Sequence, residues 1–352
     1  MRILVYEFAS GGGLAGRDVP ASLSREGAAM RAALIADLAA MGHQIVTTAD
    51  IGAARTIPRG VDVVTLPLAL RAREAALDRL MRCVDAVWLV APETDRCLER
   101  LAARVERQGT RLLGPGADTI RCASNKARLP RRLARAGVSH PKTRALGRDA
   151  SGARAAEAIG YPVVVKPGRG AGSDGVCLVR HARGLRRAVT IARRVAGSAP
   201  VLLQEYVAGT AASVSLLADG RRAVPLAVNA QLLDSSPMFS YRGGQTPLEH
   251  PLGSQAIEAA LATCRALPGL RGFVGVDLVL TETGAVVIEV NPRLTTAYLG
   301  VRSAIDENVA ALALGACAGD LPAPPLARRR VRFTATGRIV SIARFPSAAE
   351  VA

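Results

Sequence analysis

GVDLVLTETGAVVIEVNPR, residues 275–293, is the stretch whose reading decides the fold. Two runs rich in β-branched residues flank Glu282-Thr283-Gly284, and a three-residue hairpin loop with Gly in its left-handed position is a standard connection between such strands. That register sets Asp277 opposite Glu289. Strand side chains alternate between faces, so Val276, Leu278, Leu280, Val286, Ile288 and Val290 are expected to form one apolar face against a core. The other face carries Asp277, Glu289 and Asn291. Three hard oxygen ligands on one rigid hairpin, with Arg293 just beyond, suit Mg²⁺ bridging polyphosphate oxygens, because Mg²⁺ takes few carboxylates and keeps positions for phosphate and water. An ordinary half-exposed hairpin shows the same alternation, so the rest of the chain has to choose between the two.

Upstream, PVVVKPGRGAGSDGV (162–176) reads as a strand bearing Lys166 at its end, followed by a glycine-rich loop. Free N–H groups in such a loop can wrap phosphate oxygens, Gly lets the backbone approach closely, and Lys supplies a point charge. The spacing is not that of a P-loop. A flexible hairpin loop with an exposed Lys is the other reading, but the chain has only three lysines, Lys126, Lys142 and Lys166, among 46 basic residues. Next, VLLQEYV (201–207) offers the apolar slot with backbone donors and acceptors that an adenine ring needs. ASNK (123–126) opens a basic helix reaching Arg135, and SHPKT (139–143) is extended around its proline. The long, turn-rich segment 232–251 is expected to be a lid or substrate loop, or simply an exposed one. Its Glu249 and His250 are candidates for proton transfer, although a lone loop His is more often incidental.

The first third alternates strands (2–8, 44–48, 61–66, 86–90) with helices (24–41, capped by Ser24; 71–82; 98–107), which implies a parallel, doubly wound sheet. Ligands of such sheets sit at the carboxyl ends of strands, so the 8–13 turn and Ala91-Pro92-Glu93 are candidate substrate walls. The glycine-rich turn at 10–16 lacks a dinucleotide or P-loop spacing and reads better as structural.

At 352 residues the chain can divide into two or three lobes. A net charge of +17 invites a nucleic-acid reading, but the arginines are spread out and aromatic residues make up only 3%, so no specific nucleic-acid partner is expected. No membrane span or export signal is visible, and the six cysteines are scattered without metal spacing. A soluble cytoplasmic protein in a reducing compartment is the expectation.

These features, in this order, resemble the ATP-grasp superfamily: Lys126 after Ser-Asn, Lys166 in VVVKP, the glycine-rich loop, QEYV, Asp277 in GVDLVL, and Glu289 with Asn291 in EVNPR. The resemblance implies an α/β fold in which a doubly wound parallel-sheet domain (1–117) precedes two α+β lobes clamping ATP (118–200 and 201–330), with a hairpin tail (331–352). It implies that Lys126, Lys166, Gly170, Gly172, Ser173 and Gly175 contact phosphate and that Gln204, Glu205, Tyr206 and Val207 form the adenine hinge. Asp277, Glu289 and Asn291 would hold Mg²⁺, or Mn²⁺ in its place, with Lys166 and Arg293 at the transferring phosphoryl group. Many members carry a Glu shortly after the hinge glycine for ribose, where this chain has Thr210-Ala211-Ala212-Ser213, leaving Glu205 as the substitute.

More narrowly, EFASGG, YRGGQTPLEHPL and NPRLTTAY look like the tyramine:L-glutamate ligase branch associated with methanofuran synthesis, or with methylofuran in bacterial one-carbon metabolism. That likeness implies an ATP-dependent ligase forming an amide from a small carboxylate and an amine through an acyl phosphate, and allows a homodimer. Substrate contacts would come from Tyr241, Arg242, Gly243, Gly244, His250, Thr295 and Thr296. A kinase that stops at phosphoryl transfer and a basic, nucleotide-regulated binding protein are the alternatives.

Overall fold

The apolar run of Arg2–Glu7 (β1) is buried from Ile3 onward because strands lie on both sides of it and helices cover its faces. The computed structural model of the protein describes residues 1–14, 21–49, 57, 60–147, 150–170, 172–235 and 238–345. Ala15 and Gly16 of the expected early turn, Ala171 of the glycine-rich loop, Ser236 and Pro237, and 346–352 of the tail lie outside the described residues. Following β1 come Ala21–Ala39 (α1), Gln44–Thr48 (β2), Asp62–Val64 (β3), Leu70–Arg82 (α2), Ala86–Val90 (β4), Cys97–Arg107 (α3) and Arg111–Leu112 (β5). The five strands make a parallel sheet in the order β3-β2-β1-β4-β5, as the strand–helix alternation requires. Ser24, expected as the cap of α1, lies inside the helix, which already begins at Ala21.

Ala117–Ala123 (α4) and Leu129–Arg135 (α5) lead into a second, antiparallel sheet. It is built from Thr143–Ala145 (β6), Val163–Pro167 (β7), Cys177–Val179 (β8) and Val201–Glu205 (β9), in the order β6-β9-β7-β8. Ala153–Ile159 (α6) and Ala182–Ala196 (α7) cover one face around Val163, Val165, Val189 and Leu203.

The third sheet is antiparallel and seven-stranded. Its members are Thr210–Asp219 (β10), Ala223–Asp234 (β11), Ser240–Thr246 (β12), Arg271–Thr281 (β13), Gly284–Asn291 (β14), Arg329–Thr334 (β15) and Ile339–Arg344 (β16), ordered β14-β13-β10-β11-β12-β15-β16. Gly253–Ala266 (α8) packs on one face, and Ala297–Ala304 (α9) and Val309–Ala318 (α10) on the other. We propose placing the lobe boundaries at the sheet limits: β9 pairs on both sides within the four-stranded sheet, and the hairpin of β15 and β16 extends the seven-stranded one.

Two features bring the lobes together. Leu34, Ile35 and Leu38 of α1 share one apolar core with Tyr298 and Val301 of α9 and Ala313 of α10. Arg302 adds hydrogen bonds of 2.9 and 2.6 Å to Asp37, to which the Tyr298 hydroxyl also donates. After β11 the chain crosses to the four-stranded sheet, where Met238 bridges Cys177 and the Phe239 N–H donates to the Val176 carbonyl at 3.0 Å.

The hairpin of β13 and β14 departs from its expected form in two respects. Its terminal pair is Thr281 with Gly284, so Glu282 and Thr283 make a two-residue turn. Asp277 does face Glu289, but a bulge follows it, and Leu278 then pairs with Val287. The extra residue reverses the alternation on one strand. Val287 is therefore buried in the core with Val276, Leu278, Leu280 and Val290, whereas Ile288 turns into the cleft.

Candidate active site

The cleft between the two antiparallel sheets gathers residues from every lobe. At its back, β9 runs out of its ladder into Tyr206 and Val207. Gln204 donates to Thr143 Oγ1 at 3.0 Å, and the Glu205 N–H donates to the Lys142 carbonyl at 2.9 Å. The Glu205 carboxylate accepts from the Lys142 N–H at 3.1 Å, which orients it at the cleft wall. Lys142 itself is exposed and absent from the lining. Val164, Leu278, Val279 and Ile288 supply apolar surface to the same cleft.

Charge concentrates where β7 and the β13–β14 hairpin face each other. Lys126 Nζ lies 2.8 Å from Glu289 Oε2. Asp277 accepts hydrogen bonds from Asn291 at 3.0 Å and from Gln231 at 2.9 Å. Lys166 is 4% exposed, and burial pushes its ammonium from 10.5 down to about 8, with Glu289 opposing the shift and Lys126 adding to it. Burial, then the charge of Glu289, pushes the Asp277 carboxyl up to about 7. Burial acts the same way on Glu289, but Lys126 and Lys166 outweigh it and hold its carboxyl below the usual range.

Among the described residues no group of three or more His, Cys, Asp or Glu gathers, so an all-carboxylate metal cage is absent. Two opposed carboxylates and an amide oxygen are nonetheless a donor set for Mg²⁺, which keeps further positions for phosphate and water. Burial and Glu289 together make the charge on Asp277 costly, and a cation between the two carboxylates would relieve that cost.

The parallel-sheet domain closes the other end. Glu93, at the carboxyl end of β4, takes Arg293 in a two-pronged pair of 2.8 and 3.0 Å, with Glu93 4% exposed. Arg293 also donates to the Leu294 carbonyl at 2.9 Å. Glu26 of α1 lines the cleft beside Tyr241, Thr295 and Thr296 and accepts a hydrogen bond from the Thr296 hydroxyl. The glycine-rich turn after β1 is structural: Glu7 accepts from the backbone N–H groups of Ala9 and Ser10, at 2.8 and 2.6 Å, and from the Ser10 hydroxyl. Those donors are spent on Glu7 and are not presented to a phosphate.

Of the residues expected at the site, Lys126, Lys166, Gly172, Ser173, Gln204 to Val207, Tyr241, Asp277, Glu289, Asn291, Arg293, Thr295 and Thr296 line this one cleft. Gly170 and Gly175 do not, and Cβ atoms at Gly175 would meet Val195 at 3.0 Å, a packing reason for that glycine. Four substrate candidates, Arg242, Gly243, Gly244 and His250, lie outside this lining. Arg242 pairs with Asp234 at 2.6 Å on the surface. Gly243 and Gly244 sit in β12 where a Cβ would meet the Phe333 carbonyl at 2.0 Å and the Ala230 carbonyl at 2.6 Å. His250 Nδ1 accepts from the Leu252 N–H at 3.1 Å outside the cleft, and Glu249 pairs with Arg330. Gln231 and Glu26 were not singled out by the sequence: Gln231 lies in an ordinary β11 pattern, and Glu26 in a helix with no local motif.

Two family models match the chain, a pre-ATP-grasp domain over 43–120 and an ATP-grasp domain over 123–297. An ATP-grasp superfamily protein from Archaeoglobus fulgidus superposes with a TM-score of 0.70 and 22% identity, over 98% of this chain and 100% of that one. The chain is an ATP-grasp protein. The biotin carboxylase domain of the Hydrogenobacter thermophilus 2-oxoglutarate carboxylase, solved with MgADP, superposes at a TM-score of 0.74 with 18% identity, covering 94% of this chain and 73% of that one. In sequence, the tyramine–L-glutamate ligase of Methanocaldococcus jannaschii is 34% identical over 102 residues, which is 29% of this chain. The ATP-grasp chain thus spans 32% of the length of that relative, and 33% of its counterpart from Methanocaldococcus fervens.

Proposed function

We propose that this ATP-grasp chain is an ATP-dependent carboxylate–amine ligase, with L-glutamate as the carboxylate and tyramine, tyrosine or a related amine as the acceptor. The observation that carries the reading is the convergence, in one largely buried cleft, of Lys126 and Lys166 with Asp277, Glu289 and Asn291, next to an Arg293 fixed by Glu93. The family match supports a nucleotide in that cleft, and the local likeness to tyramine–L-glutamate ligases supports the substrate pair.

A carboxylate is a poor electrophile toward an amine at neutral pH. Its oxygen first attacks the γ-phosphorus of ATP, the bond to the β-phosphate oxygen breaks, and ADP departs, leaving an acyl phosphate. The transferring phosphoryl carries dispersed negative charge, which Lys166 and Arg293 would stabilise electrostatically. Mg²⁺ held by Asp277, Glu289 and Asn291 would neutralise phosphate charge and orient the oxygens. The ammonium form of the amine first gives up one proton; its nitrogen then attacks the acyl carbon, a second proton leaves the nitrogen as phosphate departs with the electron pair, and an amide remains. Gly172 and Ser173 at the cleft rim belong to the loop that would exclude water from the acyl phosphate.

Methanofuran or methylofuran synthesis in the cytoplasm is the setting this substrate pair fits. Phosphate release from Mg-ATP with glutamate, comparing tyramine, tyrosine and other amines in wild type and Glu289→Gln, tests the proposal. Release is expected to require glutamate and one amine and to vanish in the variant. Release independent of every amine would replace the ligase by a kinase.

A further inference from the structure

We infer that Glu26 recognises the primary ammonium group of the amine substrate, an assignment that rests on the ligase reading and names the residue selecting its second substrate. Glu26 reaches the cleft from α1, in the parallel-sheet domain, on the wall formed with Tyr241, Thr295 and Thr296. One of its oxygens accepts the Thr296 hydroxyl. Among the described residues it has no ion-pair partner. The cation within electrostatic reach is Arg293, and that guanidinium is committed to both oxygens of Glu93 and to the Leu294 carbonyl.

A carboxylate in a largely buried cleft without a counter-ion is costly unless a ligand supplies one. Burial accordingly raises the Glu26 carboxyl above its ordinary range, against the Thr296 hydrogen bond and Arg293. An ammonium group answers this site better than a guanidinium or a metal ion. It is compact and has three donors, and Thr295 and Tyr241 line the same cleft as the Glu26 carboxylate, with Tyr241 near enough for the charge of Glu26 to act on its hydroxyl.

The arrangement also separates the two substrates by charge. The carboxylate to be activated is drawn to the lysines, Arg293 and the metal-binding hairpin. Glu26 repels that carboxylate and attracts the amine. Arg293 feels both Glu26 and Glu289, so the two subsites adjoin at that residue, where the acyl carbon and the attacking nitrogen must meet. Gly27 lets the helix seat close to the domain core, since a Cβ there would meet Glu7 Oε1 at 2.4 Å, and this fixes the direction in which its neighbour Glu26 projects.

Glu26→Gln keeps the shape and the acceptor for Thr296 while removing the charge. Calorimetric binding of tyramine, with glutamate and a non-hydrolysable ATP analogue present, should weaken roughly tenfold or more in this variant. Glu26→Asp should recover part of the loss, the Tm of Glu26→Gln should stay at or above the wild-type value because the uncompensated charge is gone, and affinity for the ATP analogue should stay at its wild-type value. The alcohol bearing a hydroxyl in place of the tyramine ammonium should bind wild type and Glu26→Gln alike. Equal tyramine affinity in wild type and Glu26→Gln, a loss that falls on glutamate instead, or a wild type that binds no primary amine would each overturn the assignment. Tyramine that binds through Glu26 but supports no phosphate release would instead sink the ligase reading and leave the ammonium site standing.

Discussion

Replacing Lys166 by methionine should stabilise the ligand-free protein while destroying its activity. The ammonium is buried at 4% exposure, and its drop from 10.5 to about 8 already contains the opposing pulls of Glu289, Asp277 and Lys126. The charged form is therefore disfavoured in the folded state by a net amount equal to that drop. At about 1.4 kcal/mol per pH unit, and allowing for partial deprotonation, the penalty is about 3 kcal/mol at pH 7. Because the folded-state value lies below the unfolded one, the penalty is full below pH 8 and fades as pH rises toward 10.5. By the same linkage about 1.4 kcal/mol remains at pH 9.5. Urea denaturation of wild type and Lys166→Met at both pH values measures the gap directly, and differencing the two proteins removes the other groups that titrate in that range. The variant should be the more stable at pH 7, with the gap roughly halved at pH 9.5, and should release no phosphate because the phosphoryl group loses its point charge. A variant less stable than wild type at pH 7, or a gap independent of pH, would refute the reasoning and show that Lys166 is held by interactions stronger than its burial.

Glu93→Ala leaves the Arg293 guanidinium without its counter-charge in a site where Glu93 is 4% exposed, and should lower stability by about 3 kcal/mol or more. Thermal denaturation checks that loss, and kcat should fall with it while the KM for ATP changes little. Burial and Glu289 raise the Asp277 carboxyl to about 7, so under the proposed metal assignment a proton would compete with Mg²⁺ below that pH. Mg²⁺ affinity, followed by calorimetry with ADP present, should rise roughly tenfold per pH unit up to about pH 7 and level off above it. The same shift means that ligand-free stability contributed by Asp277 is greatest below its unfolded value of 3.8 and is lost as pH rises through about 7. Asp277→Asn should flatten both profiles.

Much of the site was legible because its signals are local. A lysine among few lysines at a strand end, a dense run of glycines, and two carboxylates opposite each other on a short hairpin are patterns within windows of about ten to twenty residues, and period-two alternation sets their faces. The parallel sheet followed from strands alternating with helices, and the ATP-grasp likeness from the order of motifs. Ala91-Pro92-Glu93 was expected as a substrate wall by the rule for doubly wound sheets, but these residues do not line the cleft; Glu93 reaches it only through Arg293, a partner 200 positions away that no window of sequence shows.

Glu26 and Thr296 are 270 positions apart, and no window of sequence contains them both. Their meeting depends on α1 sharing a core with α9 and α10, a consequence of packing whole layers. The bulge after Asp277 is equally invisible along the chain, since VVIEV reads as clean alternation until one extra residue is accommodated against the partner strand. It exchanges Ile288 for Val287 in the core and gives the cleft an apolar wall. His250, Arg242, Gly243 and Gly244 were implied by the likeness of YRGGQTPLEHPL to the ligase branch, yet β12 absorbs the glycines and contacts outside the cleft take the rest. The sequence by itself determined which chemical groups the protein owns and on which strands they ride, because propensity and alternation act between near neighbours. Only the tertiary structure decided which acids from the first domain close the cleft, because long-range apolar packing, rather than any local preference, brings those residues together.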